Sequence, residues 1–425
     1  MKILYLCSDA GVPVLGRKGA AVHVRQLSAA FSRAGHEVVL AAQALNKSPW
    51  EKPEAVEANV LSLRPRAHIG EVTAALKEFI ELLGVENTFP GEVRRILCNR
   101  ELAQDLKRRF DASPPDFIYE RASLYGTAGA VLAGQLNVPL LLEVNAPLAL
   151  EQASYRGTGL GELATQAERW TLSRADAVLV VSAALRDHVI ALGVDPAAVH
   201  VFPNGVDPTL FQPGSPEPGL RARLGLKDGP VLGFVGGLRP WHGVEALPDL
   251  VGRLTPKHPG LQLLIVGDGQ LRPWLEEEFR ARKLQDRVRF AGSLPYDSVA
   301  GVIRHFDLAL APYPRLDHAF YFSPLKLFEY MACGVAVVAA DVGQISEVMR
   351  NGKTGLLHPP GDVDALAAAC DRLLRNPRLR RTLGRAAAKL VHTHFTWDRN
   401  GSRAVDLARG LIAAREIRDG DRKNP

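Results

Sequence analysis

Cysteine is scarce in these 425 residues, and Cys7, Cys98, Cys333 and Cys370 stand far apart with no C-x-x-C pair. That excludes a disulfide framework and a zinc site, and makes a reducing, cytoplasmic compartment the expectation. No apolar run approaches the roughly 18 residues of a membrane span. Residues 175–185 and 335–340 come nearest and break off early. The opening MKILYLCSDAG has one lysine and an apolar run too short for the core of a signal peptide, so it reads as a first strand. A zinc finger, an RNP-like aromatic motif and a basic leucine zipper are all missing, and nucleic acid is not an expected partner. There is no repeat and no low-complexity tract.

What is present suffices for a large core: 47% hydrophobic and 23% charged residues over a length that, at roughly 150 residues per domain, predicts two or three domains. The net charge of +6 is unevenly placed. Residues 372–425 hold 14 Lys and Arg against 5 Asp and Glu, a surplus of +9 that leaves −3 for the rest. Such a tail is either attracted to an anionic surface, such as the inner face of a membrane, or is simply a solvated arginine-rich helix.

Residues 2–7, 37–42, 116–119, 139–144, 177–181 and 199–202 are apolar runs separated by helical patterning, as at 20–34. Continuous apolar runs of this kind are parallel strands buried on both faces. Residues 203–230, with six prolines and five glycines, read as a linker. A second series follows at 230–234, 261–266, 288–290, 308–311 and 335–340, and residues 397–415 are amphipathic. The expected class is α/β: two Rossmann-like, doubly wound domains with a ligand cleft between them.

Three loops carry chemistry. Gly19, in RKGAA, opens the first helix, whose N-terminal N–H groups suit a phosphate; an ordinary βα turn is the alternative. The run GFVGGLRPWHG at 233–243 combines Gly236 and Gly237 with Arg239 and His242 on a strand-to-helix turn, as a diphosphate requires. Gly267-Asp268-Gly269 lacks the third glycine of a dinucleotide fingerprint, position 272 being Arg, so a turn with Asp268 as helix cap is expected there. The densest run is FSPLKLFEYMACG at 322–334. Ser323 and Pro324 predict an N-cap and first helical position, which puts Lys326 and Glu329 on one face. They are a surface ion pair, or a phosphate-binding lysine beside a ribose-binding carboxylate.

With NGVD at 204–207, GLRPWHG at 237–243, VGDG at 266–269, FAGSL at 290–294 and EYMACG at 329–334, followed by Gly343 and Glu347, the chain resembles the family-4 retaining glycosyltransferases of the GT-B fold. Gly19 and GHEV at 35–38 fit the same family. The resemblance implies an acceptor-binding domain at 1–205, a nucleotide-sugar-binding domain at 206–390, and a helix at 391–425 packing back on the first domain. It implies transfer of a sugar from a nucleoside-diphosphate-sugar to the hydroxyl of a glycan, a lipid-linked glycan or a small molecule, with no cofactor and no metal. Glu329 matches the second glutamate of the family's Glu-x7-Glu motif, which holds the ribose; the first falls at Tyr321. The Arg and Lys that neutralise the diphosphate fall at Gly237 and His242, so the charge is assigned to Arg239 and Lys326, with His242 assisting. Leu294 lies in the loop that holds the base, and Tyr321, Phe322, Ser323, Pro324 and Leu325 complete the donor site.

In the first domain, where the family often has a histidine, stands Asn145. Glu143, two residues earlier in an extended segment, points the same way. Glu143 and Asn145 could orient an acceptor hydroxyl and Arg121 could bind acceptor charge, or Glu143 and Arg121 form a structural ion pair. Asp362 and Asp364 imitate a D-x-D motif, but they follow Pro-Pro-Gly and read as a helix cap. A nucleotide-sugar epimerase and a non-catalytic homologue partnering an active transferase are the competing readings, the latter favoured by Tyr321.

Overall fold

The computed structural model describes residues 1–46 and 52–423, except for the side chains of 419–423, and divides the chain into Met1–Pro203 with Asp398–Pro425, and Asn204–Trp397. The first unit is built on β1 (Lys2–Cys7), β2 (Glu37–Ala42), β3 (Asn59–Ser62), β4 (Phe117–Arg121), β5 (Leu140–Val144), β6 (Ala177–Val180) and β7 (Val199–Val201). They run parallel in the order 3-2-1-4-5-6-7. The order reverses at β1 and β4, whose carboxyl ends are therefore where a doubly wound sheet opens to a ligand. The strands that the apolar runs foretold are buried almost throughout. β3 was not foreseen, because its residues are mostly exposed and leave no apolar run. Nor were the helices Ala67–Leu82 and Phe89–Phe110; the first buries only Ile69 and Thr73, a stripe too thin to register as a period.

The second unit carries β8 (Val231–Val235), β9 (Gln262–Val266), β10 (Val288–Gly292), β11 (Leu308–Ala311), β12 (Ala336–Ala340) and β13 (Leu356–His358). Again all are parallel, in the order 10-9-8-11-12-13. β13 is too short to signal itself. The proline- and glycine-rich stretch from Asn204 onward is not a spacer: Val206 and Phe211 are fully buried, and Val206 bridges to Thr396 within the same unit. Prolines there shape turns between core contacts.

The basic C-terminal segment is two helices. Pro377–His394 belongs to the second unit, and Trp397–Lys423 belongs to the first from Asp398 on. The single segment expected from residue 391 is thus broken at Phe395 and Thr396. Part of its positive charge is spent internally: Arg415 pairs with Asp176 at 2.8 Å and Arg380 with Asp307 at 2.9 Å, while its Asp398 accepts from Arg33. Among the described residues no helix is long and apolar enough to cross a membrane.

Candidate active site

In the second unit, chemistry gathers where β8 ends. Beyond Val235 the chain turns through Gly236 at φ +143°, a conformation that disfavours any residue with a side chain. The Lys326 ammonium lies 2.8 Å from where a Cβ on Gly236 would sit, so the missing side chain is also what admits the lysine. Lys326 comes from the helix Leu325–Ala332, which buries every residue from Lys326 to Ala332. The surface ion pair is therefore not what forms. Lys326 Nζ has no hydrogen-bond partner among the described residues and rests over the rings of Phe234 at 4.0 Å and Tyr313 at 5.4 Å.

Cation–π contact returns about 0.5–2 kcal/mol, whereas desolvating an ammonium costs several kcal/mol. Burial accordingly pushes the Lys326 pKa down to about 7, against the pull of Glu329. Glu329, one turn on and equally buried, is pushed up to about 7 by burial, against Lys326 and the Tyr296 hydroxyl. An anion placed beside Lys326 would recover much of this cost.

His242 ends the turn. Its Nδ1 lies 2.6 Å from the Gly237 carbonyl, and a carbonyl only accepts, so Nδ1 carries the proton. Burial, then Lys326 and Arg239, lower its pKa to about 3. A buried ring beside a cation resists a second charge, so burial and Lys326 favour the neutral form of His242, against the expectation that it helps to offset a diphosphate. Arg239 is half-exposed, donates to Gln270 Oε1 at 2.6 Å and lies over Trp241 at 5.8 Å. Ser323 and Pro324 also change roles. The cap position is Pro324, while Ser323 Oγ accepts the Asn204 N–H at 2.8 Å, tying the start of the helix to the start of the unit. Leu325 is the first helical residue. Tyr321 is buried and stacks on His318 at 5.3 Å, with Phe322 tilted against it at 4.4 Å. Leu294 packs on the core beside Tyr296. Asp268 does not cap a helix; it accepts the Gly269 N–H and pairs with Arg272 at 3.2 Å. Asp362 does cap one, accepting from Ala365 N–H, and Asp364 pairs with Arg253.

The first unit holds a different kind of cluster. Arg121 and Glu143 are register partners at the ends of β4 and β5, and Tyr5 and Tyr119 are partners two residues before Arg121, so alternation puts all four on one face. Glu143 is buried, with His23 at hydrogen-bond distance, the Tyr5 hydroxyl at 3.4 Å, Arg121 Nη1 at 3.7 Å and Asn145 alongside. Burial raises its pKa, but His23, Arg121 and Asn145 outweigh that and hold it below the ordinary carboxylate value. Its carboxylate is committed to these partners; Asn145 and Arg121 are less enclosed. On the opposite face of β5, Leu142 and Val144 line a small cleft with Ser123 and Leu148. Gly19 opens the helix Gly19–Arg33, whose start has no side-chain cap, and is exposed. On the other face, Glu120 is buried against Gly129 in the first turn of the helix Ala128–Leu136, and burial pushes its pKa up to about 7 against the Gly129 N–H.

Sequence reasoning missed His23, Tyr5 and Tyr119. The tyrosines could have been found from strand parity with Arg121; His23 is brought in only by the packing of its helix. Among the described residues no group of three His, Cys, Asp or Glu side chains is arranged to hold a metal ion.

Residues 229–376 match the family described as Glycosyl transferases group 1, and residues 18–205 match the Glycosyl transferase 4-like domain. The chain is 26% identical over 401 residues to a glycogen synthase of Mycobacterium tuberculosis, covering 93% of this chain and 92% of that one. It is 30% identical over 287 residues to an alpha-D-kanosaminyltransferase of Streptomyces kanamyceticus, covering 65% of this chain and 72% of that one. Among solved structures, Anabaena HepE in complex with UDP superposes with a TM-score of 0.69 at 19% identity, over 96% of this chain and 100% of that one.

Proposed function

Since the chain belongs to the group 1 glycosyltransferases and has their GT-B fold, we propose that it moves a sugar from a nucleoside-diphosphate-sugar donor to an acceptor hydroxyl with retention of anomeric configuration, its second unit holding the donor and its first the acceptor. The observation that carries this is the Lys326 ammonium, buried without a hydrogen-bond partner beside the Gly236 turn, with Glu329 one turn further on. A buried cation without a hydrogen-bond partner is stabilised by an arriving diphosphate. It is stabilised most when the anomeric bond breaks and the leaving group gains charge. Arg239 adds a second, more exposed cation, and Glu329 accepts the ribose hydroxyls. His242 fixes the turn through the Gly237 carbonyl and contributes no charge.

Among the described residues no carboxylate is placed as a covalent nucleophile: Glu143 is tied to His23, Tyr5 and Arg121. Departure of the diphosphate therefore precedes or accompanies attack on the same face. Asn145 and Arg121 meet the acceptor, and Glu143 holds them. Side chains rather than a metal ion offset the diphosphate charge. Anabaena HepE, crystallised with UDP, supports a uridine nucleotide as the first donor to try. Four free, buried cysteines fit a cytoplasmic location, and the part of the basic tail not spent in ion pairs would contact an anionic membrane face.

Calorimetric titration with UDP, GDP, ADP and dTDP, each with and without EDTA, tests the reading. Binding of one of them that EDTA leaves unchanged is expected. Binding that EDTA abolishes would overturn the metal-free site, and no binding at all would overturn the donor site.

A further inference from the structure

Tyr330 follows Glu329 in the helix Leu325–Ala332 and is completely buried, yet its hydroxyl is not idle. The Val235 N–H, the last of β8, donates to Tyr330 Oη at 2.6 Å. The sheet explains why this donor needs a side chain. β8 pairs with β9 as far as Val235, but with β11 only as far as Gly233. Gly236 N–H donates to Val266 O on the β9 side at 2.8 Å, so alternation along the strand turns the Val235 N–H to the β11 side, where pairing has ended. A buried N–H without an acceptor costs about 1–3 kcal/mol. The Tyr330 hydroxyl takes the place of the absent strand.

Through this bond the turn at Gly236 and Gly237 is fixed to the helix that carries Lys326 and Glu329. Phe306 lies edge-on to the ring at 6.3 Å and fills the space over Gly233, where a Cβ would lie 2.0 Å from the Phe306 ring. The two parts of the donor site arrive from sequence positions about ninety residues apart, and lysine–phosphate geometry depends on their mutual position to within about 0.5 Å. We propose that Tyr330 is a positioning residue for sugar transfer: its hydroxyl, by accepting the Val235 N–H, sets the diphosphate-binding turn against Lys326. This rests on the donor reading of the same site.

The test uses the full chain with Tyr330→Phe, which keeps the ring and removes only the acceptor. Phe306→Leu serves as a control that loosens the same packing and leaves the hydroxyl in place. Hydrogen exchange of residues 235–239 is followed in the free proteins, and nucleoside diphosphate affinity by calorimetry with whichever of UDP, GDP, ADP or dTDP the parent binds. In Tyr330→Phe, exchange of that segment is expected to quicken at least tenfold and affinity to fall about tenfold. In Phe306→Leu, melting temperature falls while affinity stays within twofold. Unchanged exchange in Tyr330→Phe, or quickened exchange with unchanged affinity, would overturn the inference. So would an equal loss of affinity in Phe306→Leu, which would assign the effect to packing. If the parent binds none of the four, the donor reading fails, and the exchange measurement alone then decides whether Tyr330 holds the turn.

Discussion

Two buried carboxylates, Glu143 and Glu329, sit in equally dry surroundings and are treated in opposite ways. Glu143 is surrounded by a histidine, an arginine and a tyrosine hydroxyl and stays ionised below its ordinary pKa. Glu329 has Lys326 and the Tyr296 hydroxyl nearby, too little to offset its burial, and both it and Lys326 are driven toward neutrality, near pH 7. A satisfied network fixes geometry and gains little from a newcomer. An unsatisfied pair destabilises the empty protein and is relieved by one. The contrast separates a region built to hold its own shape from one built to be completed by an anion.

The largest break in that contrast is Glu143→Ala, which leaves the Arg121 guanidinium without its counter-charge and takes a hydrogen-bond partner from the buried His23. A loss of about 3–5 kcal/mol is expected in denaturant unfolding; a loss below about 1 kcal/mol would show that the network is not a unit. Lys326→Met should do the reverse. Removing a buried cation that no hydrogen bond satisfies raises the melting temperature, while nucleoside diphosphate affinity falls more than tenfold, the effect of about 1.5–3 kcal/mol for a charge-assisted bond. Glu329→Ala should lose affinity on the same scale. Calorimetry and thermal unfolding of one preparation check both signs.

A smaller effect sharpens the same point through pH. Lys326 titrates near 7 when empty, and a bound diphosphate raises its pKa, so binding takes up a proton above pH 7 and little below pH 6. Affinity should fall by up to about tenfold per pH unit from 7 to 9. Heats of binding measured at pH 8 in buffers of different ionisation enthalpy should reveal the uptake, and buffer-independent heats would contradict it. The smallest effect concerns Glu120. Its folded pKa is raised, so its contribution to stability is whole below about 4.5 and is lost as pH climbs through about 7. Glu120→Gln has no proton to lose, so its melting temperature relative to the parent should climb between pH 5 and pH 8. A constant difference would refute the shift.

Much of the fold was legible because parallel strands buried on both faces declare themselves as apolar runs; β1, β5, β9 and β12 need no further signal. β3 and the helix Ala67–Leu82 were not, since their exposed residues carry no period. Lys326 and Glu329 were legible as a pair from their spacing, but spacing of three suits a solvated helix equally. Only burial against Phe234 and Tyr313 makes the lysine unusual, and burial is a property of the packed unit. Ser323 looked like a cap because serine before proline usually is one; its tie to Asn204 spans 119 positions and leaves no local trace. His23 was invisible for the same reason, its partner lying 120 residues on. The Tyr330 bond follows from a pairing that stops early, which no single strand reveals.

The chain leaves its first unit at Pro203 and returns to it at Asp398. The final helix sets Gly401 against Ala30 and Phe31 and buries Ala404, Val405 and Ala408. On a ribosome the opening 203 residues therefore emerge with one apolar face uncovered, and must wait while 204–397 are made. At about 5–20 residues per second that interval is on the order of 10–40 s. The second unit, continuous in sequence, can finish within that time. The part of the protein translated first is the part completed last, and nascent chains stalled before residue 398 should expose the apolar patch of the helix Gly19–Arg33 to chaperones.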